Sequence, residues 1–187
     1  QIDKSLEVLY TPPMALLARS ANSPAGVDYL GGQKVKFESV DQILDFAIEK
    51  EQDAADFYND LAGKMDREYM KQIFTQFAKE EMGHKRKLEG VKQGKKMATA
   101  ERKVMDLKIG ENLAEVDLSE GVGELDYQQA LILAMKAEKN AYRLYNDLAQ
   151  AAEQDEMKEI FLTLAQEEAK HKLRFELEYD DYALREN

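Results

Sequence analysis

Residues 58–62 read Tyr-Asn-Asp-Leu-Ala, and the same five residues return at positions 145–149, an offset of 87 residues. The same offset carries Glu80–Lys85 (Glu-Glu-Met-Gly-His-Lys) onto Glu167–Lys172 (Glu-Glu-Ala-Lys-His-Lys). The match runs without a gap from about residue 39 to residue 176, so the chain contains two copies of one unit. Any fold proposed for this sequence has to explain that duplication.

Each copy predicts a hairpin of two helices. The first helix begins at a capping box, formed by Ser39 with Gln42 in copy one and by Asp126 with Gln129 in copy two. Apolar residues then follow at steps of three and four, the period of a half-buried helix. A short polar turn near the middle of each copy predicts that its two helices run antiparallel. In copy one the apolar positions are Val40, Ile43, Leu44, Ala47, Ala54, Tyr58 and Leu61, then Ile73, Phe74, Phe77 and Leu88.

Two hairpins with a long connection predict an all-α, ferritin-like four-helix bundle. A long central connection lets the second hairpin cross to the far side of the first, as in ferritin-like folds. The predicted segments are an N-terminal extension at 1–37, then a bundle at 38–180 made of a hairpin at 39–91, a crossover at 92–125 and a hairpin at 126–180. We expect the extension, which holds all three prolines, to be irregular or partly helical, and a piece of the crossover near 98–107 to be helical.

Composition excludes several classes of protein. The formal charge of −11 argues against binding to nucleic acid or to an anionic membrane surface. The chain has no cysteine, which excludes disulfides, thiolate catalysis and Cys-ligated zinc or iron–sulfur centres within it. No apolar run approaches the roughly 20 residues of a membrane span. A cytoplasmic location is our expectation, although a removed targeting segment before Gln1 stays open.

Six ionisable residues interrupt the apolar stripes at matching positions of the two copies. Burying unpaired carboxylates is costly, so four of them facing one another need a cation. One Glu from each of two helices and a Glu-x-x-His from each of the other two form the ligand set of di-iron and di-manganese carboxylate bundles. The predicted metal ligands are Glu51, Glu81, His84, Glu138, Glu168 and His171.

The hairpins place these residues at one height. Residues equidistant from the turn lie side by side, and the midpoint between Glu51 and Glu81 is position 66, in the first turn. The midpoint between Glu138 and Glu168 is position 153, in the second turn. At 1.5 Å per residue, all six lie roughly 22 Å from their turns, near the middle of the bundle. Two divalent ions balance the four carboxylates, and oxygen with imidazole ligands favours iron or manganese, with zinc as an alternative.

One question about these residues stays open in the sequence. Glu80 and Glu167 lie four residues before the histidines and compete with Glu81 and Glu168 for the ligand role. Periodicity alone does not decide between the two members of each pair.

Two tyrosines follow the lone glutamates by seven residues, which is two helical turns on the same face. Tyr58 follows Glu51, and Tyr145 follows Glu138. A buried phenol needs a hydrogen-bond partner. These hydroxyls either bond to ligand carboxylates behind the metal, or they pack in the core and bond elsewhere.

The sequence resembles the rubrerythrin branch of the ferritin-like superfamily over about residues 39–178. The matching segments are 51–62, 80–85, 136–149 and 167–172. The resemblance implies that the six residues bind two iron ions, with Glu81 and Glu168 bridging and Glu51 and Glu138 terminal. It further implies reduction of hydrogen peroxide or dioxygen in oxidative-stress defence. Together with the frequency of symmetric dimers among oligomers, it favours a homodimer.

The chain departs from conventional rubrerythrins in two ways. It lacks the four cysteines of a rubredoxin domain, which implies an external electron donor. It also lacks the additional Glu one turn from the ligand of the third helix, because Met135 and Ala141 occupy those positions. That second departure counts against rubrerythrin-like peroxidase chemistry. It leaves a ferroxidase or iron-storage protein, or a metal-stabilised module without catalysis, as alternatives.

Overall fold

The computed structural model describes residues 6–10, 33–37, 39–95 and 125–186. The helices of that part are α1 (Val40–Lys64), α2 (Glu68–Lys92), α3 (Tyr127–Ala151) and α4 (Asp155–Glu186). Helix α1 packs along α2, and α3 packs along α4, as two antiparallel hairpins. The predicted all-α, ferritin-like four-helix bundle is confirmed. None of the described helices is both long and apolar enough to cross a membrane.

Both hairpins begin where the capping residues predict. The Ser39 hydroxyl accepts a hydrogen bond from the backbone N–H of Gln42, at 3.2 Å. Asp126 accepts from the N–H of Gln129 at 2.8 Å, and the Gln129 side chain accepts from the N–H of Asp126 at 3.0 Å. These bonds satisfy amide groups that have no partner within the first turn of a helix, and so fix where α1 and α3 start.

The apolar core consists of two clusters, one toward each end of the bundle. In one cluster the turn of the first hairpin, with Met65 and Met70, packs against Tyr127 and Leu131 at the start of α3. The other joins the beginning of α1 and the end of α2 to the turn region of the second hairpin. The two turns therefore lie at opposite ends of the bundle, because each turn packs against the open end of the other hairpin.

This arrangement requires the long crossover. Helix α2 ends in one apolar cluster, and α3 begins in the other. The end of α2 and the start of α3 are therefore separated by about the length of a 25-residue helix, roughly 37 Å. The helical piece predicted near 98–107 lies outside the described residues, and the predicted domain boundaries stay a prediction.

The N-terminal extension differs from its prediction. Instead of irregular or helical structure, its described residues form two antiparallel strands, β1 (Leu6–Tyr10) and β2 (Gln33–Phe37), with Val8 opposite Val35. The sequence feature that indicates these strands is the alternation of charged and apolar residues through β2, together with β-branched and aromatic side chains. Phe37 is buried and packs edge-on against Phe46 of α1, at 5.2 Å between ring centroids, which attaches the sheet to the bundle.

Aromatic rings from both hairpins close the core on one side of its centre. Phe77 of α2 stacks on Phe175 of α4, with 3.8 Å between ring centroids and 21° between ring planes. Tyr58 of α1 lies 5.6 Å from the same Phe175 ring. All three side chains are almost fully buried. This aromatic layer lies between the middle of the bundle and the end that contains the turn of the first hairpin.

Candidate metal centre

The six predicted ligands lie together in the middle of the bundle. They come from all four helices, with Glu51 on α1, Glu81 and His84 on α2, Glu138 on α3, and Glu168 and His171 on α4. Each is buried, with between 1% and 4% of its surface exposed. Six ionisable groups at such low exposure are unusual in a protein core unless bound cations compensate the carboxylates.

One group of potential ligands surrounds His84. Its Nδ1 atom lies 3.2 Å from Oε2 of Glu81, 3.3 Å from Oε1 of Glu168 and 3.5 Å from Oε2 of Glu51. One ligand atom from each of these four residues falls within 4.8 Å of the others, which is close enough for a single ion. The group takes residues from α1, α2 and α4, so both hairpins contribute to it.

A second group surrounds His171 and mirrors the first. Its Nδ1 atom lies 2.9 Å from Oε1 of Glu81, 3.6 Å from Oε1 of Glu138 and 3.7 Å from Oε2 of Glu168. These four residues also bring their ligand atoms within 4.8 Å of one another. The imidazole rings of His84 and His171 are nearly parallel, with 5.3 Å between their centroids.

The two groups share Glu81 and Glu168. Each of these carboxylates directs one oxygen toward the nitrogen of His84 and the other oxygen toward the nitrogen of His171. Glu51 belongs only to the first group and Glu138 only to the second. This sharing agrees with the two bridging and two terminal carboxylates that the resemblance implies. Ligation by these six residues remains a prediction.

The hydrogen bonding of the site fits a cation. Among the described residues, Oε1 of Glu81, Oε1 of Glu168 and Nδ1 of His171 are buried without a hydrogen-bond partner. Nδ1 of His171 and Oε1 of Glu81 lie 2.9 Å apart, but they lack the geometry of a hydrogen bond. A buried polar atom left unsatisfied costs about 1–3 kcal/mol. Divalent ions would give these converging atoms a partner, and the donor set of carboxylates and imidazoles suits iron, manganese or zinc.

Without a metal, protons neutralise the cluster. Burial raises the pKa of Glu51 to about 8 and raises the pKa of Glu138 well above its usual range. Burial disfavours the charged imidazole, but the carboxylates close to it, Glu168 first, outweigh burial and raise the pKa of His84 to about 12. The pKa of His171 is also raised, because Glu81 and the other carboxylates outweigh its burial. Protons on these four groups occupy the positions that metal ions need.

The two tyrosines connect the hairpins through the terminal carboxylates. Tyr58 of α1 donates a hydrogen bond to Oε1 of Glu138 on α3, and Tyr145 of α3 donates to Oε1 of Glu51 on α1. Both phenols are buried, and burial together with the nearby carboxylates raises their pKa well above the usual value. They therefore remain protonated donors. The sequence left open whether the tyrosine hydroxyls bond to ligand carboxylates or elsewhere. In the structure, each bonds to a carboxylate that is a predicted metal ligand.

The competing glutamates lie outside the two ligand groups. Glu80 of α2 accepts a hydrogen bond from Nε2 of His171, on the opposite side of the ring from the cluster, at 3.1 Å. Glu167 of α4 is paired with Lys170 at 2.6 Å. Both carboxylates are partly exposed, at 29% and 26%. This placement favours Glu81 and Glu168 as the ligands, and it gives Glu80 a contact that the sequence did not suggest.

Comparison with known proteins agrees with this geometry. The family model for rubrerythrin matches residues 42–179, which is 138 of the 187 residues and spans all four helices. Searches of curated proteins and of solved structures found no match. The family match covers each of the six clustered residues, and the cluster fits a diiron centre. This chain belongs to the rubrerythrin family.

Proposed function

We propose that this protein is a diiron carboxylate redox protein that reduces hydrogen peroxide or dioxygen with electrons from an external donor. The observation that supports this function best is the pair of four-residue groups that share Glu81 and Glu168. Groups with two ligands in common favour two ions that act together on one small molecule. The match to the rubrerythrin family favours iron as the metal.

The chain's residues have defined tasks in this proposal. When bound, two ferrous ions would supply the two electrons that reduction of peroxide requires. Glu81 and Glu168 offer one oxygen to each group, and carboxylates tolerate a change of metal charge because they shift between bridging and terminal binding. Tyr58 and Tyr145 restrain the terminal carboxylates by hydrogen bonds from the opposite hairpin. The packed aromatic layer beside the site limits the access of bulk water.

Electrons would come from a separate donor. The 187 residues contain no cysteine, so they offer no ligands for a rubredoxin-type or iron–sulfur centre. Removal of peroxide in the cytoplasm, as part of oxidative-stress defence, is the cellular role that we propose for this activity.

Iron oxidation and storage, as in ferritins, is the second candidate. One observation favours it, namely that no carboxylate lies one helical turn from Glu138. Met135 is fully buried and Ala141 is half-buried at those positions. The corresponding positions around Glu51 are Ile48 and Ala54. At these positions there is therefore no additional Glu that could exchange with a metal ligand.

The test is to load the metal-free protein with ferrous iron under anaerobic conditions and to count the iron bound per chain. Stopped-flow absorbance then follows oxidation by peroxide and by dioxygen in separate experiments. Peroxide reduction predicts about two irons per chain, faster oxidation by peroxide than by dioxygen, and recovery of the ferrous state on adding a reductant.

Other outcomes would redirect the assignment. Faster oxidation by dioxygen, with ferric iron leaving the site or accumulating beyond two per chain, would support iron handling. Two irons that neither oxidant changes would support a metal-stabilised module without catalysis. Fewer than two metals per chain, with no further loss in the double variant Glu81→Ala/Glu168→Ala, would contradict the metal centre itself.

A further inference from the structure

We propose that Glu80 is a positioning residue for His171, and that it makes the two metal positions unequal although the chain is an internal repeat. The inference rests on the proposed binding of two metal ions at the centre. It concerns how this chain holds those ions, and not which oxidant they reduce.

The two nitrogens of His171 face different partners. Nδ1 points into the carboxylate cluster, 2.9 Å from Glu81, whereas Nε2 lies 3.1 Å from Oε2 of Glu80. A carboxylate at Nε2 favours the tautomer with its proton on that nitrogen. The lone pair of Nδ1 is then available to a metal. Groups behind a histidine ligand commonly fix its tautomer and orientation in this way, and raise its basicity.

Glu80 is itself held from two other sides. Arg174 of α4 donates to the same Oε2 atom at 2.6 Å, and Gln76 of α2 donates to Oε1 at 2.9 Å. The guanidinium of Arg174 also lies over the Phe77 ring, 4.3 Å from its centroid. Glu80 is therefore oriented before any metal binds, by residues from both hairpins.

The equivalent residues of the other copy make a different set of contacts. Glu167 is the repeat partner of Glu80, but it pairs with Lys170 on its own helix at 2.6 Å and does not bond to His84. Lys87 replaces Arg174, and Thr163 replaces Gln76 and donates to a backbone carbonyl instead. Within the described residues, the polar contacts found for His84 all use Nδ1. Within the part of the chain that the structure describes, a carboxylate therefore lies behind the imidazole of His171 and none lies behind that of His84.

The consequence is a difference in metal affinity between the two groups. Removing a residue behind a metal ligand typically weakens binding by about 10–100-fold. We expect Glu80→Ala to weaken one of two stepwise binding constants by that factor and to leave the other nearly unchanged. The matched control is Glu167→Ala, which removes the equivalent Glu of the other repeat and should change either constant by less than about threefold.

The experiment titrates the full-length, metal-free protein with cobalt(II) against a competing chelator, and follows the visible absorption bands of the bound ion. Glu80→Gln retains an acceptor for Nε2 and should fall between wild type and Glu80→Ala. To test whether Glu80 acts through His171, Glu80→Ala is combined with His171→Gln in one protein and with His84→Gln in another. The alanine substitution should lose its effect in His171→Gln and keep it in His84→Gln, a pattern that general damage to the fold would not give.

The outcomes separate this inference from the proposed function. If wild type binds two cobalt ions, but Glu80→Ala and Glu167→Ala weaken binding equally or not at all, the positioning role is wrong and the diiron proposal stands. An equal effect of Glu80→Ala in both histidine backgrounds would also overturn it. If wild type binds fewer than two ions, the metal centre itself fails, and the inference fails with it.

Discussion

Binding of two divalent ions should release about four protons per chain at pH 7. In the metal-free protein, Glu51 and Glu138 are protonated near neutral pH because burial raises their pKa, that of Glu51 to about 8. His84 and His171 are charged because the surrounding carboxylates raise their pKa. A metal requires deprotonated carboxylates and neutral imidazoles, so two carboxyls and two imidazoles lose a proton each.

The bridging carboxylates do not add to this number. Burial opposes the ionisation of Glu168, but the nearby imidazoles of His171 and His84 lower its pKa, and it is already ionised at neutral pH. The pKa of Glu81 is lowered as well, since His171 outweighs its burial and its repulsion from Glu168. With a pKa of about 8, Glu51 is roughly nine-tenths protonated at pH 7, so the expected release is slightly below four.

Isothermal titration calorimetry measures this number. The apparent binding enthalpy is recorded in two buffers with different enthalpies of ionisation, and the slope between them gives the protons released per metal. Glu138→Gln removes one titrating carboxyl and should lower the release by about one proton, provided that both ions still bind. Glu49→Gln is the control, because Glu49 lies two residues from Glu51 with 69% of its side chain exposed.

A release of fewer than two protons by a protein that binds both ions would refute this reasoning. It would mean that the carboxyls and imidazoles are already deprotonated before the metal arrives, or that the ions bind elsewhere. An unchanged release in Glu138→Gln would contradict the assignment of one of the four protons to that carboxyl.

Three further predictions concern the protein without metal. Tyr58→Phe leaves a buried oxygen of Glu138 without its donor and should lower the free energy of unfolding by about 1–3 kcal/mol in urea titrations; no change would contradict the bond. Phe175→Ala removes the ring stacked on Phe77 and should cost about 3–5 kcal/mol in the same assay, whereas a loss below about 1 kcal/mol would refute the packing. The Tm should fall as pH rises above 6.5, because unfolded His84 releases its proton there while the folded form keeps it to about pH 12; a flat Tm from pH 6 to 9 would contradict this.

The sequence was most informative where the repeat and the helical period agreed. The offset of 87 residues paired each candidate ligand with a partner, and counting from the two turns placed all six at one height. The structure brings them together in two groups. The capping residues Ser39 and Asp126 predicted the starts of α1 and α3, because the bonds that fix a helix start involve residues only three positions apart.

Other features depended on contacts between distant segments. The sequence could not choose between Glu80 and Glu81, since both lie near the buried stripe of α2, and only the position of α4 separates them. The partners of the two tyrosines were equally hidden, because each hydroxyl crosses to the other hairpin, 80 and 94 residues away along the chain. The N-terminal strands were not predicted, because each has only five residues and its pairing partner lies beyond a segment that contains all three prolines of the chain.

The exchange of hydrogen bonds between the hairpins has a consequence for how such a chain can change. Tyr58 bonds to Glu138 as Tyr145 bonds to Glu51, so the same contact occurs twice in opposite directions, as two-fold symmetry imposes on a pair of identical subunits. Two separate copies of one hairpin would have to accept every substitution twice. When the two copies are joined in one chain, one copy can carry Arg174 where the other carries Lys87. Duplication within a single polypeptide thus allows a substitution beside one metal position without the same substitution beside the other, while the six central residues keep their two-fold arrangement.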